Sequence, residues 1–213
     1  MAASCSEAEL YTSDDFVESA GAVLFRVAAR KILVLHTRSG EYVLAKGRRN
    51  CGESRRAAAQ REVAEESGLA CRLLPLDMST RAPPPEPALI SPLFLASPTG
   101  EYADEIQRDP GGGDHHADVS RSYAGVCEPF AMQIRRLGNN GGGGVKIIWW
   151  FAATVADEDK VPTFDSMTPA ERERFDAVAF VSFDEALQRL TFEQDREVVR
   201  RAIALVGRTY YGE

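Results

Sequence analysis

Residues 47 to 69 read GRRNCGESRRAAAQREVAEESGL, a stretch that sets glutamates at fixed intervals among glycines and arginines. Its alanines (Ala57, Ala58, Ala59 and Ala64) favour helix and Gly68 is a natural helix stop, so a helix is expected over 53–67. At about 100° per residue, Glu62, Glu65 and Glu66 stand at i, i+3 and i+4, and their carboxylates converge on one side. A solvated acidic face is the plainest account of such a group. It leaves Glu65 and Glu66 at the C-terminal end of the helix, where the macrodipole disfavours anions. A compensating cation is expected there, and clustered oxygens suit a hard divalent ion such as Mg2+ or Mn2+, whose remaining positions can take phosphate oxygens. Gly47 has no side chain, so its backbone can approach such an ion and lend a carbonyl. Glu53 lies about 180° from Glu62 on a simple wheel and is expected to pair with Arg61, locking the loop to the helix.

Outward from this stretch, residues 17–45 read as three short strands, with breaks at Ala28–Arg30 and at Ser39-Gly40. Residues 70–76 suggest another strand. RAPPPEP at 81–87 cannot continue regular structure, and 97–122, which contains DPGGGDHHAD, reads as a flexible insertion. Strands are expected at 128–137 and 145–155, joined into a hairpin by a flexible glycine-rich tip at 138–144. A final strand is expected at 177–182. Ser182 can then cap a helix in an S-x-x-E pattern with Glu185, and Val198, Val199, Ile203 and Val206 repeat at helical spacing in a last helix. Strands and helices mix without strict alternation, so an α/β or α+β sandwich is expected.

The 213 residues, 44% of them hydrophobic, suit one domain over 1–213 with a flexible tail at 1–16. The acidic, polar start has no basic flank or apolar core of a signal peptide, and no apolar run is long enough to span a bilayer, so a cytoplasmic or nuclear protein is expected. Cys5, Cys51, Cys71 and Cys127 form no C-x-x-C pair and read as reduced thiols. A net charge of −7 argues against binding to a nucleic-acid polymer or an anionic membrane. A small polyanion met by a local basic pocket remains compatible with it.

Gly47, five residues, Glu53, seven residues, then Arg61, Glu62 and Val63, Glu65 and Glu66, Gly68 and Leu69 resembles the Nudix box at every defined position. SAGAVLF and YVLAKG before it extend the resemblance over about residues 17–70. It implies a Nudix-type α/β/α sandwich with a mixed central sheet and long loop insertions, and hydrolysis of a phosphoanhydride with Mg2+ or Mn2+. Carried onto this chain, it makes Glu62 and Glu66 the principal metal ligands, Glu65 a further ligand or the general base, and the Gly47 carbonyl an additional ligand. Arg61 would orient them through Glu53. In some relatives the base comes from a distant loop, for which Glu101, Asp104, Glu105 and Glu128 are candidates here.

The box does not fix the substrate. Arg38, Lys46, Arg48 and Arg49 gather near it, and Arg26, Arg135, Arg136 and Lys146 can join from neighbouring strands, a grouping that suits a densely phosphorylated molecule. YVLAKG with its polar loop resembles the fungal-type phosphohydrolases of diphosphoinositol polyphosphates and diadenosine polyphosphates, which carry proline where this chain has Ala45. An ADP-ribose or nucleotide-sugar pyrophosphatase is the alternative. Pro85 fits that group's spacing, and Trp149, Trp150, Tyr123 or Phe130 would serve as a base platform. A Nudix fold kept as a binding module without turnover is the third reading, although no box glutamate is missing. His115-His116 lacks a third ligand and reads as loop surface; His36 reads as strand packing, and Cys51 falls in the loop of the box.

Overall fold

The computed structural model describes residues 8–82, 120–138, 144–162 and 167–213. Strand β1 (Phe16–Arg26) turns into β2 (Lys31–Thr37), and short β3 (Tyr42–Val43) and β4 (Lys46–Arg48) lead to helix α1 (Arg55–Ser67). There follow β5 (Cys71–Leu73), β6 (Leu76–Thr80), β7 (Arg121–Val126), β8 (Ala131–Leu137) and β9 (Gly144–Val155). Helix α2 (Pro169–Arg174), β10 (Phe175–Ser182), α3 (Phe183–Arg189) and α4 (Glu193–Val206) complete the order, and a π-helical turn closes it at Gly207–Tyr211.

One sheet of eight strands runs β10-β2-β1-β9-β5, with β3 on β2, β4 on β1 and β8 on β9. The long β1–β9 pair is parallel, from Phe16 opposite Val145 to Phe25 opposite Thr154, and the other pairs are antiparallel, so the sheet is mixed. Side chains alternate along a strand, so β1 sends Ala20, Ala22 and Leu24 to one face and Val23 and Phe25 to the other. The first face packs Ala58, Ala59 and Val63 of α1; the second packs Ala186 and Leu190 from the α3 region and Val198, Val199, Ala202 and Leu205 of α4. This is the expected α/β/α sandwich.

Local signals set the helix ends. Ser54 caps α1 by accepting from Ala57 N–H, and Gly68 ends it in the left-handed region at φ 71°, so the helix starts two residues later than expected. Ser182 accepts from Glu185 N–H at the start of α3. Four expectations change. The strand expected over 70–76 is two strands in different sheets, because Pro75 has no N–H to continue a ladder and the chain departs to pair β6 with β7. The strand expected from 128 starts at Ala131, just after Pro129 and Phe130. Arg121 and Ser122, expected in the flexible insertion, belong to β7, and the tail ends before 16: Asp15 N–H bonds Thr12 O and Asp15 O accepts from Val145 N–H. Glu101, Asp104, Glu105, Pro85 and His115-His116 lie outside the described residues. Among the described residues, no helix is long and apolar enough to cross a membrane.

Candidate active site

The site forms where β4 meets α1. β4 pairs with β1 so that Gly47 stands opposite Ala20 and Lys46 opposite Gly21. Alternation along β4 then turns position 47 towards α1, where a Cβ at Gly47 would overlap the Glu62 carboxylate. Glu62 is buried against that bare backbone. Gly47→Ala is therefore expected to push the carboxylate out of place, lowering kcat/KM about 10–100-fold, the range for disturbed metal surroundings, while thermal unfolding changes little. Near-wild-type activity in that variant would show that the close approach is unimportant.

Glu66, one turn on, is 1% exposed. Its Oε2 accepts Lys46 N–H at 2.9 Å and its Oε1 accepts from Arg174 Nη1 at 2.7 Å. Burial pushes its carboxyl up to about 7, against the pull of Arg174 and Lys46. Burial also raises Glu62, and Arg61 opposes the rise. Glu65 is different: its side chain is 38% exposed and bonds Arg61 Nη1 at 2.9 Å. The three carboxylates thus do not meet at one point, and no group of three potential ligands closes on a cation among the described residues. Two guanidiniums serve the three carboxylates: Arg61 Nη1 is shared by Glu62 and Glu65, and Arg174 pairs with Glu66.

Arg61 is the hub. Its Nε and Nη2 fork onto Glu53 at 2.8 and 3.0 Å, its Nη1 reaches Glu62 at 2.7 Å, and Nη2 also donates to Arg48 O at 2.8 Å. The fork, with Asn50 N–H on the other side, holds the Glu53 carboxyl at about 2. The donor set fits a divalent cation. Two buried carboxylates whose burial leaves their negative charge under-compensated, beside a glycine backbone that admits close approach, are hard oxygen donors. Glu62, Glu66 and the Gly47 carbonyl would hold the ion, with Glu65 at the outer edge.

The basic residues divide. Lys46 and Lys146 are both lowered, chiefly by burial; Lys146 is also lowered by the charges of Lys46, Arg135, Arg48 and Arg174, which places these cations as neighbours. Lys146 stands opposite Arg135 in the β8–β9 register. Arg49 is tied to Glu18 at 2.9 Å and to Glu53 O at 2.9 Å, and Arg38 binds the end of α2 through Arg172 O and Arg174 O. Arg26 sits at the far end of β1, five residues beyond Gly21, roughly 17 Å along the strand, with its guanidinium over Phe180. Arg136 is exposed and pairs with Glu9.

Trp150 is fully buried in the core, while Trp149 donates its indole N–H to Glu18 at 2.9 Å under the Arg55 guanidinium. His36 bonds Asp176 and stacks on Tyr42. A cleft of about 370 Å³ at the N-terminus of α1 is lined by Ser54, Arg55, Arg56, Glu128, Pro129 and Phe151, among others. Sequence reasoning missed Arg174, Glu171 and Asp195. Arg174 and Glu171 are two charges among several in PAERER, and Asp195 looks like an ordinary first-turn helix acid; nothing local shows that Asp195 is fully buried or that Arg174 reaches Glu66.

The profile of the NUDIX domain matches residues 15–120. The chain contains a Nudix domain, a class whose members hydrolyse phosphoanhydride bonds of small phosphorylated molecules, generally with divalent metals such as Mg2+ or Mn2+. Among curated protein sequences none matches this chain. Solved structures similar to it include a NUDIX hydrolase from Nitrosomonas europaea, with 13% identity over 88% of each chain and a TM-score of 0.46. The E. coli dihydroneopterin triphosphate pyrophosphohydrolase has 12% identity over 88% of this chain and 94% of that one, with a TM-score of 0.49. A C. elegans Ap4A hydrolase has 13% identity over 90% of this chain and 98% of that one, with a TM-score of 0.46. Likeness at this level does not extend to substrate.

Proposed function

We propose that this protein is a divalent-metal-dependent pyrophosphohydrolase that cleaves a P–O–P bond by water attack in a densely phosphorylated small molecule, a diphosphoinositol polyphosphate or a dinucleoside polyphosphate. The observation that carries the substrate class is the cationic group beside the carboxylates. Lys146 is lowered by the neighbouring charges of Lys46, Arg135, Arg48 and Arg174, and Lys46 by those of Arg174 and Arg135, with Glu66 and Asp195 acting on Lys46 in the opposite sense. Like charges held together in a partly desolvated place favour an incoming polyanion. When bound, Mg2+ or Mn2+ would activate the attacking water and neutralise charge on the phosphate oxygens. Glu62 and Glu66 would hold the ion, Arg61 fixes Glu62 and Glu65 against the loop, and Lys46, Lys146 and Arg135 would orient the phosphate chain.

The ADP-ribose alternative is less well supported. Trp150 is core, and Trp149 is held by Glu18 at its N–H and carries the Arg55 guanidinium over one face of its ring. Phosphate release with Mg2+ from a diphosphoinositol pentakisphosphate, diadenosine hexaphosphate and ADP-ribose tests the choice. Turnover of one or both of the first two is expected. Hydrolysis of ADP-ribose alone overturns the substrate class, and silence across all three supports a binding module.

A further inference from the structure

Arg174 belongs to no part of the box. It ends α2, its guanidinium lies over the Phe175 ring at 4.8 Å, and its Nη1 meets Glu66 Oε1 at 2.7 Å with Glu171 Oε2 at 3.5 Å. Its side chain is 47% exposed whereas that of Glu66 is 1% exposed. The guanidinium therefore stands between solvent and the buried carboxylate. Glu66 Oε2 is held by a backbone N–H, Lys46 N, which cannot leave without disturbing β4; Oε1 is held by a half-exposed side chain. A divalent cation arriving at Glu66 meets a positive charge already on Oε1, and the two repel. A released Arg174 does not lack for surroundings, since its charge already acts on both Lys46 and Lys146. There it neighbours Lys46, Lys146 and Arg135, the last paired with buried Asp195, and a guanidinium forks well onto phosphate.

We propose that Arg174 changes partners during the catalytic cycle: it neutralises Glu66 while the metal is absent, and on metal loading it transfers to a phosphate oxygen of the substrate. The exchange makes Arg174 a substrate-binding residue and couples the two ligands, so that metal binding frees a phosphate-binding arginine and substrate binding, by giving that arginine another partner, favours the metal. Glu171 serves as the resting point between the two positions. This rests on the pyrophosphohydrolase reading above.

The test measures manganese binding calorimetrically at pH 8 in the full chain without substrate. Wild type, Arg174→Gln and Arg174→Lys are compared, together with KM for whichever of the three panel compounds is turned over. Arg174→Gln is expected to bind Mn2+ about tenfold more tightly, because the competing charge is gone, and to show a KM about tenfold higher, both within the usual range of coupling between sites. Arg174→Lys retains the charge and is expected to stay near wild type in metal affinity. Thermal unfolding of each variant in chelator checks the fold. A structural role for Arg174 would weaken metal and substrate together; opposite signs distinguish the exchange. Metal binding no tighter in Arg174→Gln, or an unchanged KM, overturns the proposal while leaving the hydrolase assignment intact. A wild type that binds no manganese and turns over nothing overturns both.

Discussion

Glu66→Gln is expected to reduce turnover by more than the roughly 10–100-fold that follows from disturbing a metal's surroundings, with the fold retained. The glutamine carbonyl can still accept Lys46 N–H, so β4 stays docked on α1. Its amide turns a donor towards Arg174, which is half exposed and free to move to Glu171 or solvent. What disappears is the negative charge that a cation would meet at this buried position. The same substitution changes the pH dependence of stability. Burial raises the Glu66 carboxyl from the ordinary 4.5 to about 7, so the folded state holds that proton more tightly than the unfolded chain. The resulting stabilisation is fully present below pH 4.5 and is lost as the pH rises through 7. In chelator, urea unfolding of the wild type is expected to show a loss of up to ~3 kcal/mol between about pH 5 and 8 from this group, and Glu66→Gln a smaller one. Equal losses would show that Glu66 is not desolvated, and full turnover in the variant would remove α1 from the chemistry.

How far the sequence reaches is visible in α1 itself. Its alanine-rich body and its Gly68 stop are local and legible, and so is the Glu53–Arg61 pairing, whose partners are eight residues apart, whereas its start lies two residues later than expected. The wheel places Glu62, Glu65 and Glu66 on one side but cannot say that two turn inward and one outward. That depends on Gly47, brought in by the β1–β4 pairing, and on Arg174, which bonds Glu66 across 108 positions of sequence. The basic residues show the same limit. In KGRRN Arg49 looks as available as Lys46, yet Glu18, 31 residues earlier, claims it. The strand expected over 70–76 runs through Pro75, and that β6 leaves the main sheet depends on its pairing with β7, far along the chain. Local chemistry specified the helix and its caps; which charges are free is a property of long-range pairing.

Arg61→Ala should be the most destabilising change in the site. A single guanidinium satisfies both oxygens of Glu53, one each of Glu62 and Glu65, and the Arg48 carbonyl, so its loss leaves three carboxylates and a backbone acceptor facing one another. Breaking a buried pair from one side costs roughly 3–5 kcal/mol; with the Arg61 side chain 27% exposed, about 2–3 kcal/mol is expected here. Activity should fall as well even at saturating Mg2+, because Glu62 loses the group that turns it towards Gly47. Arg61→Lys separates charge from shape. An ammonium restores the sign but cannot hold both Glu53 oxygens and the Arg48 carbonyl while still reaching Glu62. It should therefore recover part of the stability and little of the kcat. Urea unfolding and steady-state kinetics on the two variants decide the matter. Lysine equal to arginine in both would mean that only the charge matters, and alanine as stable as wild type would mean that the loop and helix are held together by something other than this fork.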